Sequence, residues 1–156
     1  MSMGRTVRRS RDGRYHLRLS DEERTLLAGL GGDLLAGLED DDDEGIQRLF
    51  PTAHHDDPVG DAEYHLRHHE ELLTGRRAAI AAFVQTAGSD ILEEEQLQIW
   101  MTVVNDIRLV VGTHLDVSED MDDIVAPDPR APQYALYMYL GGLLSDLIDA
   151  AFGGLP

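Results

Sequence analysis

The chain has 156 residues and no cysteine; the length suits one domain with a sizeable core, and the missing thiol excludes disulfides, thiolate zinc sites, thiol redox sensing and cysteine nucleophiles. The net charge of −17 is unevenly placed: residues 1–19 hold six arginines and one acid, a net +5, while the remaining 137 residues hold seven arginines and 29 acids, a net −22. A body this acidic repels nucleic acid and anionic membrane. No apolar run reaches the ~18 residues of a membrane span, and no apolar h-region follows the arginine-rich start, so the expectation is a cytoplasmic protein with one domain over 1–156.

In chain order, residues 6–19 read as a β-ribbon arm. Asp12-Gly13 is a favoured type I′ turn pair, and Tyr15, Leu17 and Leu19 alternate with Arg14, His16 and Arg18. Two strands alone are marginal, so the ribbon must rest on something. Residues 20–152 read as a helical bundle. Ser20 opens the first helix with a capping box to Glu23, and Leu27, Leu30, Leu34 and Leu38 follow at helical spacing. Gly29, Gly31, Gly32 and Gly37 each cost about 1 kcal/mol against alanine, so this helix must draw its stability from packing.

Residues 39–60 form an acidic and irregular connector, with "EDDDDEG" at its start and Pro51 and Pro58 beyond. Asp61 to about Ala87 reads as helix, with a break expected near Thr74-Gly75. Asp90 or a neighbour is expected to cap the next helix, about Leu92 to Leu115, whose early Glu93, Glu94 and Glu95 suit the helix dipole. Its stripe of Leu97, Trp100, Val104, Ile107 and Val111, widened by Ile99, Val103 and Val110, marks a buried central helix. Pro132 starts the last helix, Gln133 to Phe152, where Gly141-Gly142 would let another backbone come close. The expected fold is therefore mainly α: a helical bundle of four to five helices with an N-terminal β-hairpin, and no βαβ alternation.

The stretch "AEYHLRHHEE" is the most chemical in appearance. On a helix Asp61, His65 and His69 share one face, a donor set able to hold zinc with an open position. It lacks the HExxH order, and Glu63, Arg67, His68, Glu70 and Glu71 continue round the turn. A solvated helix face, with Leu66, Leu72 and Leu73 turned inward, is the preferred reading, and no cofactor is assigned. Calcium loops started at Asp40 or Asp116 fail, because their twelfth places are Pro51 and Pro127 instead of glutamate. No phosphate-binding loop, G-x-S-x-G elbow or spaced triad is present.

Asn105, Asp106 and Arg108 interrupt the most apolar helix. They suit either a polar network that fixes the bundle's register or a small pocket with Trp100, Tyr134, Tyr137 and Tyr139 nearby. The arginines Arg8, Arg9, Arg11 and Arg14 could touch phosphates, but a net +5 beside a net −22 favours neutralisation within the molecule.

Three segments, "RLFPTA…DDP" (48–58), "W…NDIRLVVGTHLDV" (100–117) and "LYMYLGGLLSDLIDA" (136–150), resemble the actinobacterial family DUF2017. The all-arginine composition, 13 arginines without a lysine, agrees with such a GC-rich source. The resemblance implies a small cytoplasmic α-helical protein whose role is tied to transcription or to Clp-type proteolysis. It carries no catalytic residue onto this chain; Arg48, Asn105, Asp106 and Arg108 match recurrent polar positions, and the histidine cluster does not. The expectation is a non-enzymatic regulatory or adaptor protein with a protein partner, self-associating through its last helix. A metal- or ligand-binding enzyme, with its site at Asp61, His65 and His69 or near Arg108, and a DNA-binding arm are the alternatives.

Overall fold

Strands β1 (Val7–Arg9) and β2 (Tyr15–Leu17) pair antiparallel, Val7 opposite Leu17 and Arg9 opposite Tyr15. The computed structural model describes residues 6–38, 43–49, 58–115 and 128–153, with the side chains of 58–65 outside that description. The turn is not the expected two-residue type I′. Ser10 N–H donates to Arg14 O at 2.8 Å and Gly13 N–H donates to Ser10 O at 3.1 Å, which makes a three-residue loop. Gly13 closes it at φ +85°, a position that a side chain would strain. The Asp12 carboxylate accepts from both Ser10 and Arg14 and draws the loop together.

A third strand, β3 (Ile91–Leu92), was not visible in the sequence pattern. It pairs antiparallel with β2, Tyr15 opposite Leu92 and His16 opposite Ile91, so β2 is the central strand. Leu17 N–H donates to Asp90 O at 2.7 Å. One row of side chains from this sheet is core: Val7, Tyr15, Leu17 and Leu92 are all buried. The segment read as an arm is thus part of the fold.

Five helices follow among the described residues: α1 (Asp21–Gly37), α2 (Glu44–Gln47), α3 (Pro58–Thr86), α4 (Glu94–Leu115) and α5 (Ala131–Phe152). The capping box of α1 forms as its sequence requires: Glu23 N–H donates to Ser20 Oγ, and Ser20 N–H donates to Glu23 Oε1, each at 3.1 Å. Helix α3 runs unbroken through Gly75, because Leu73, Ala79, Ile80 and Phe83 pack along it into the core. Packing therefore overrides the propensity cost of one exposed glycine. Helix α4 starts at Glu94, later than Leu92, since Ile91 and Leu92 are in the sheet; Asp90 is not its cap.

The core centres on α4, with Leu97, Trp100, Val103, Val104 and Ile107 buried. Trp100 packs at a tilt of 60° against Phe83 of α3 with ring centroids 4.6 Å apart, and its Nε1–H donates to Thr86 Oγ1 at 2.7 Å. Helix α5 turns Leu140, Leu143, Leu147 and Ala150 to the same core. By length and composition alone α5 is apolar enough to cross a membrane, although no long uninterrupted apolar run marks it; core helices of water-exposed bundles can be as apolar. Among the described residues nothing lies within 4 Å of where a Gly142 Cβ would stand, and a Cβ at Gly141 would meet the side chain of Arg108 and no backbone.

One residue that the sequence did not single out ties these parts together. Arg24, in the first turn of α1, has a side chain only 13% exposed, and every guanidinium donor finds an acceptor. Nε donates to Leu19 O at 3.2 Å; Nη1 donates to Ala87 O at 3.1 Å and Ser89 O at 2.6 Å; Nη2 donates to Leu17 O at 3.3 Å and Asp90 Oδ1 at 3.0 Å. The fork thus joins β2, the start of α1 and the turn between α3 and β3. Lysine has neither the planar fork nor enough donors to satisfy them. Arg24→Lys is expected to destabilise the fold by on the order of 3 kcal/mol, read as a lower urea midpoint at unchanged m, since each part-buried carbonyl left without a donor costs about 1–3 kcal/mol. A loss under about 0.5 kcal/mol would show that the sheet holds without the clamp.

Candidate functional site

Helices α3 and α4 meet at an ion pair. Asp106 on α4 is 5% exposed, the one buried charged residue among the described ones, and its Oδ2 accepts from Arg76 Nη1 on α3. Burial pushes the Asp106 carboxyl above the ordinary aspartate range, while the hydrogen bond and charge of Arg76 act against that rise. Beside the pair opens a cleft of about 510 Å³ between α3, α4 and α5. Met101, Leu144 and Ile148 give it apolar walls, and Thr102 and Asn105 line it one turn apart on α4.

The structure therefore brings Asn105 and Asp106 together, with Arg76 as a partner that sequence reasoning missed. The signal was weak: Arg76 sits beside Arg77 in an alanine-rich helix, and only the register of α3 against α4 selects one of them. Trp100 and Arg108 do not join the cleft. Trp100 is fully buried against Phe83, and Arg108 stacks on Tyr137 with Cζ 4.6 Å from the ring centroid. Arg48 is exposed at the C-cap of α2, apart from both. Chemically, Asp106 is a carboxylate already engaged by a guanidinium, an arrangement that fixes helix register more readily than it moves protons.

Two further polar contacts join helix ends. Tyr139 on α5 donates to Glu23 Oε2 at 2.7 Å. Burial disfavours the Glu23 charge, but the hydrogen bonds from Tyr139 and Ser20 outweigh it and hold that carboxyl below the ordinary range. Burial, then the Glu23 charge and hydrogen bond, push the Tyr139 hydroxyl well above the usual tyrosine value. At the other end, His114 Nε2 lies 2.9 Å from Asp43 Oδ1, and this contact is the main cause holding the Asp43 carboxyl down.

The ribbon arginines occupy the solvent side. Arg8, Arg9, Arg11, Arg14 and Arg18 are all exposed. Arg14 is held by Asp12 in its own turn, Nη2 to Oδ2 at 2.7 Å. The guanidiniums of Arg8, Arg9, Arg11 and Arg18 make no ion pair or hydrogen bond among the described residues. The expected neutralisation against the acidic body is thus not made by contacts there.

Of the histidine set, His69 is half-buried on α3, while the side chains of Asp61 and His65 lie outside the described residues. Arg67, His68, Glu70 and Glu71 are exposed around it, as a solvated face requires. Leu66, expected inward, is 63% exposed; Leu73 is the neighbour that reaches the core.

Among known proteins, a family model described as a domain of unknown function, DUF2017, matches residues 4–151. No curated protein and no solved structure shows a significant match.

The raised Asp106 carboxyl sets the sign of a pH effect. The native state holds the Asp106 proton more tightly than the unfolded chain does, so the carboxyl contributes less stability as pH rises from about 4 through its raised value, where an unfolded aspartate is already ionised. Asparagine keeps the neutral shape. The stability of Asp106→Asn relative to wild type is therefore expected to rise as pH rises above about 4 in paired urea titrations. A variant that loses ground to wild type over that window would show Arg76 to outweigh burial.

Proposed function

The chain belongs to the DUF2017 family, and within it we propose a non-enzymatic regulatory or adaptor protein that acts through protein contacts. The observation that carries this reading is the ribbon: four exposed guanidiniums without a partner among the described residues, two on strand β1 and two at the turn and end of the hairpin, attached to a body of net −22. Charges fixed on a β-sheet and left open to solvent suit a partner that brings acids of its own. The ion pair of Asp106 with Arg76 accounts for the buried carboxylate without catalysis. The reading places the protein in the cytoplasm, in a role linked to transcription or proteolysis.

Self-association is the second element of this reading. Met138 and Phe152 on the outer face of α5 are 54% and 58% exposed, a surface on which a second copy can pack. DNA binding by the ribbon is the competing reading; the acidic body opposes it.

Capture from the lysate of the protein's own host, with nuclease added, compares wild type with the double variant Arg8→Glu, Arg9→Glu. Both residues are exposed, so the fold should persist. The expected result is a protein partner in near-stoichiometric yield that resists nuclease and falls ~10-fold in the variant. Material that vanishes with nuclease would replace this reading with nucleic-acid binding, and a partner indifferent to the charge reversal would remove the ribbon from the contact.

A further inference from the structure

The described arginines set between packed elements divide in a telling way. Arg24 satisfies all five donors, and Arg76 pairs with Asp106. Arg108 has neither kind of partner among the described residues. Its Nε, like that of Arg76, is shut off from solvent without a hydrogen bond, but no carboxylate among the described residues contacts its guanidinium. This occurs in a chain with 30 acids for 13 arginines, where an internal counter-ion would be easy to supply.

The side chain is nevertheless held in a shaped seat. Its Cζ lies 4.6 Å from the centroid of the Tyr137 ring. That ring lies against Gly112, where a Cβ would come within 2.8 Å of Tyr137 Cε1, so α4 leaves room for the ring by having no side chain there. Across from it, Gly141 of α5 leaves room for the guanidinium; a Cβ at that position would sit 3.3 Å from Arg108 Nε. The backbone of α5 therefore closes the Nε side, and the two terminal nitrogens form the accessible side. A stacked, half-buried guanidinium with its terminal fork free is a receptor for an anion that brings two oxygens.

We propose that Arg108, seated on Tyr137 between Gly112 and Gly141, binds a carboxylate. A single guanidinium matches one negative charge and the planar spacing of carboxylate oxygens, whereas the net −22 of the body opposes a phosphate dianion. The carboxylate comes either from an acidic side chain of a protein partner or from a free carboxylic acid. The seat does not depend on the ribbon's role, since it lies on α4 and α5.

The test follows the Arg108 side-chain and Tyr137 ring signals of the full-length protein by NMR at constant ionic strength. The probes are sodium acetate, a blocked Ala-Glu-Ala peptide, inorganic phosphate and sodium chloride. Acetate or the peptide is expected to give a saturable shift that is lost in Arg108→Met, whose apolar stem keeps the packing. Tighter binding of the peptide assigns the seat to a protein's acidic side chain; tighter binding of acetate assigns it to a free acid. A shift equal to that from chloride, a shift that survives in Arg108→Met, or tighter binding of phosphate would overturn the proposal. If Arg108→Met does not fold, Arg108→Lys decides: weaker binding supports the seat, and binding equal to wild type overturns it.

Discussion

The Arg24 fork is the contact on which the rest of the arrangement depends. A β-ribbon of two short strands does not hold itself against solvent. Here the ribbon becomes a sheet because Ile91 and Leu92 add a third strand, and that strand is held in place by the turn whose carbonyls and carboxylate Arg24 gathers. The same side chain reaches Leu17 and Leu19 at the end of β2. Strand, helix start and turn therefore share one planar cation, and the inward row of Val7, Tyr15, Leu17 and Leu92 can be core instead of surface.

That burial has a consequence on the other face. With one row of the sheet turned to α4 and α5, Arg8, Arg14 and Arg18 can only point outward. The protein thus fixes positive charge on one rigid patch while the remainder carries a net −22. Charge placed this way steers encounter and orientation more than it adds affinity. The interior follows the opposite rule: its one buried charge among the described residues, Asp106, is matched by Arg76 on a neighbouring helix. Exposed and buried ionic groups thus lie in different parts of the fold.

How much of this could be read from the residues depended on the range of the interaction. Local signals were legible: the Ser20–Glu23 box, the Leu27 to Leu38 stripe and the broad apolar girth of α4 each follow from spacing within a few turns. Signals that pair distant segments were not. A two-residue strand at Ile91 has no period to detect, and Arg24 looks like an ordinary polar residue of a first helical turn until residues 63 to 66 places away fold against it. The polar interruption of α4 was visible, but its division was not. Asp106 faces α3, Asn105 lines the cleft and Arg108 turns to Tyr137, because successive helical positions point about 100° apart.

The central claim is that the arginine-bearing ribbon is an ordered part of the core, held by Arg24, and not a loose arm. Native-state hydrogen exchange at the Leu17 and Arg18 amides tests it most directly, since these N–H groups donate to Asp90 O and Thr6 O. Protection comparable to that of the buried turns of α4 around Trp100 and Val104 is expected, as one cooperative unit requires. Exchange at the rate of an unstructured peptide, with α4 still protected, would contradict it.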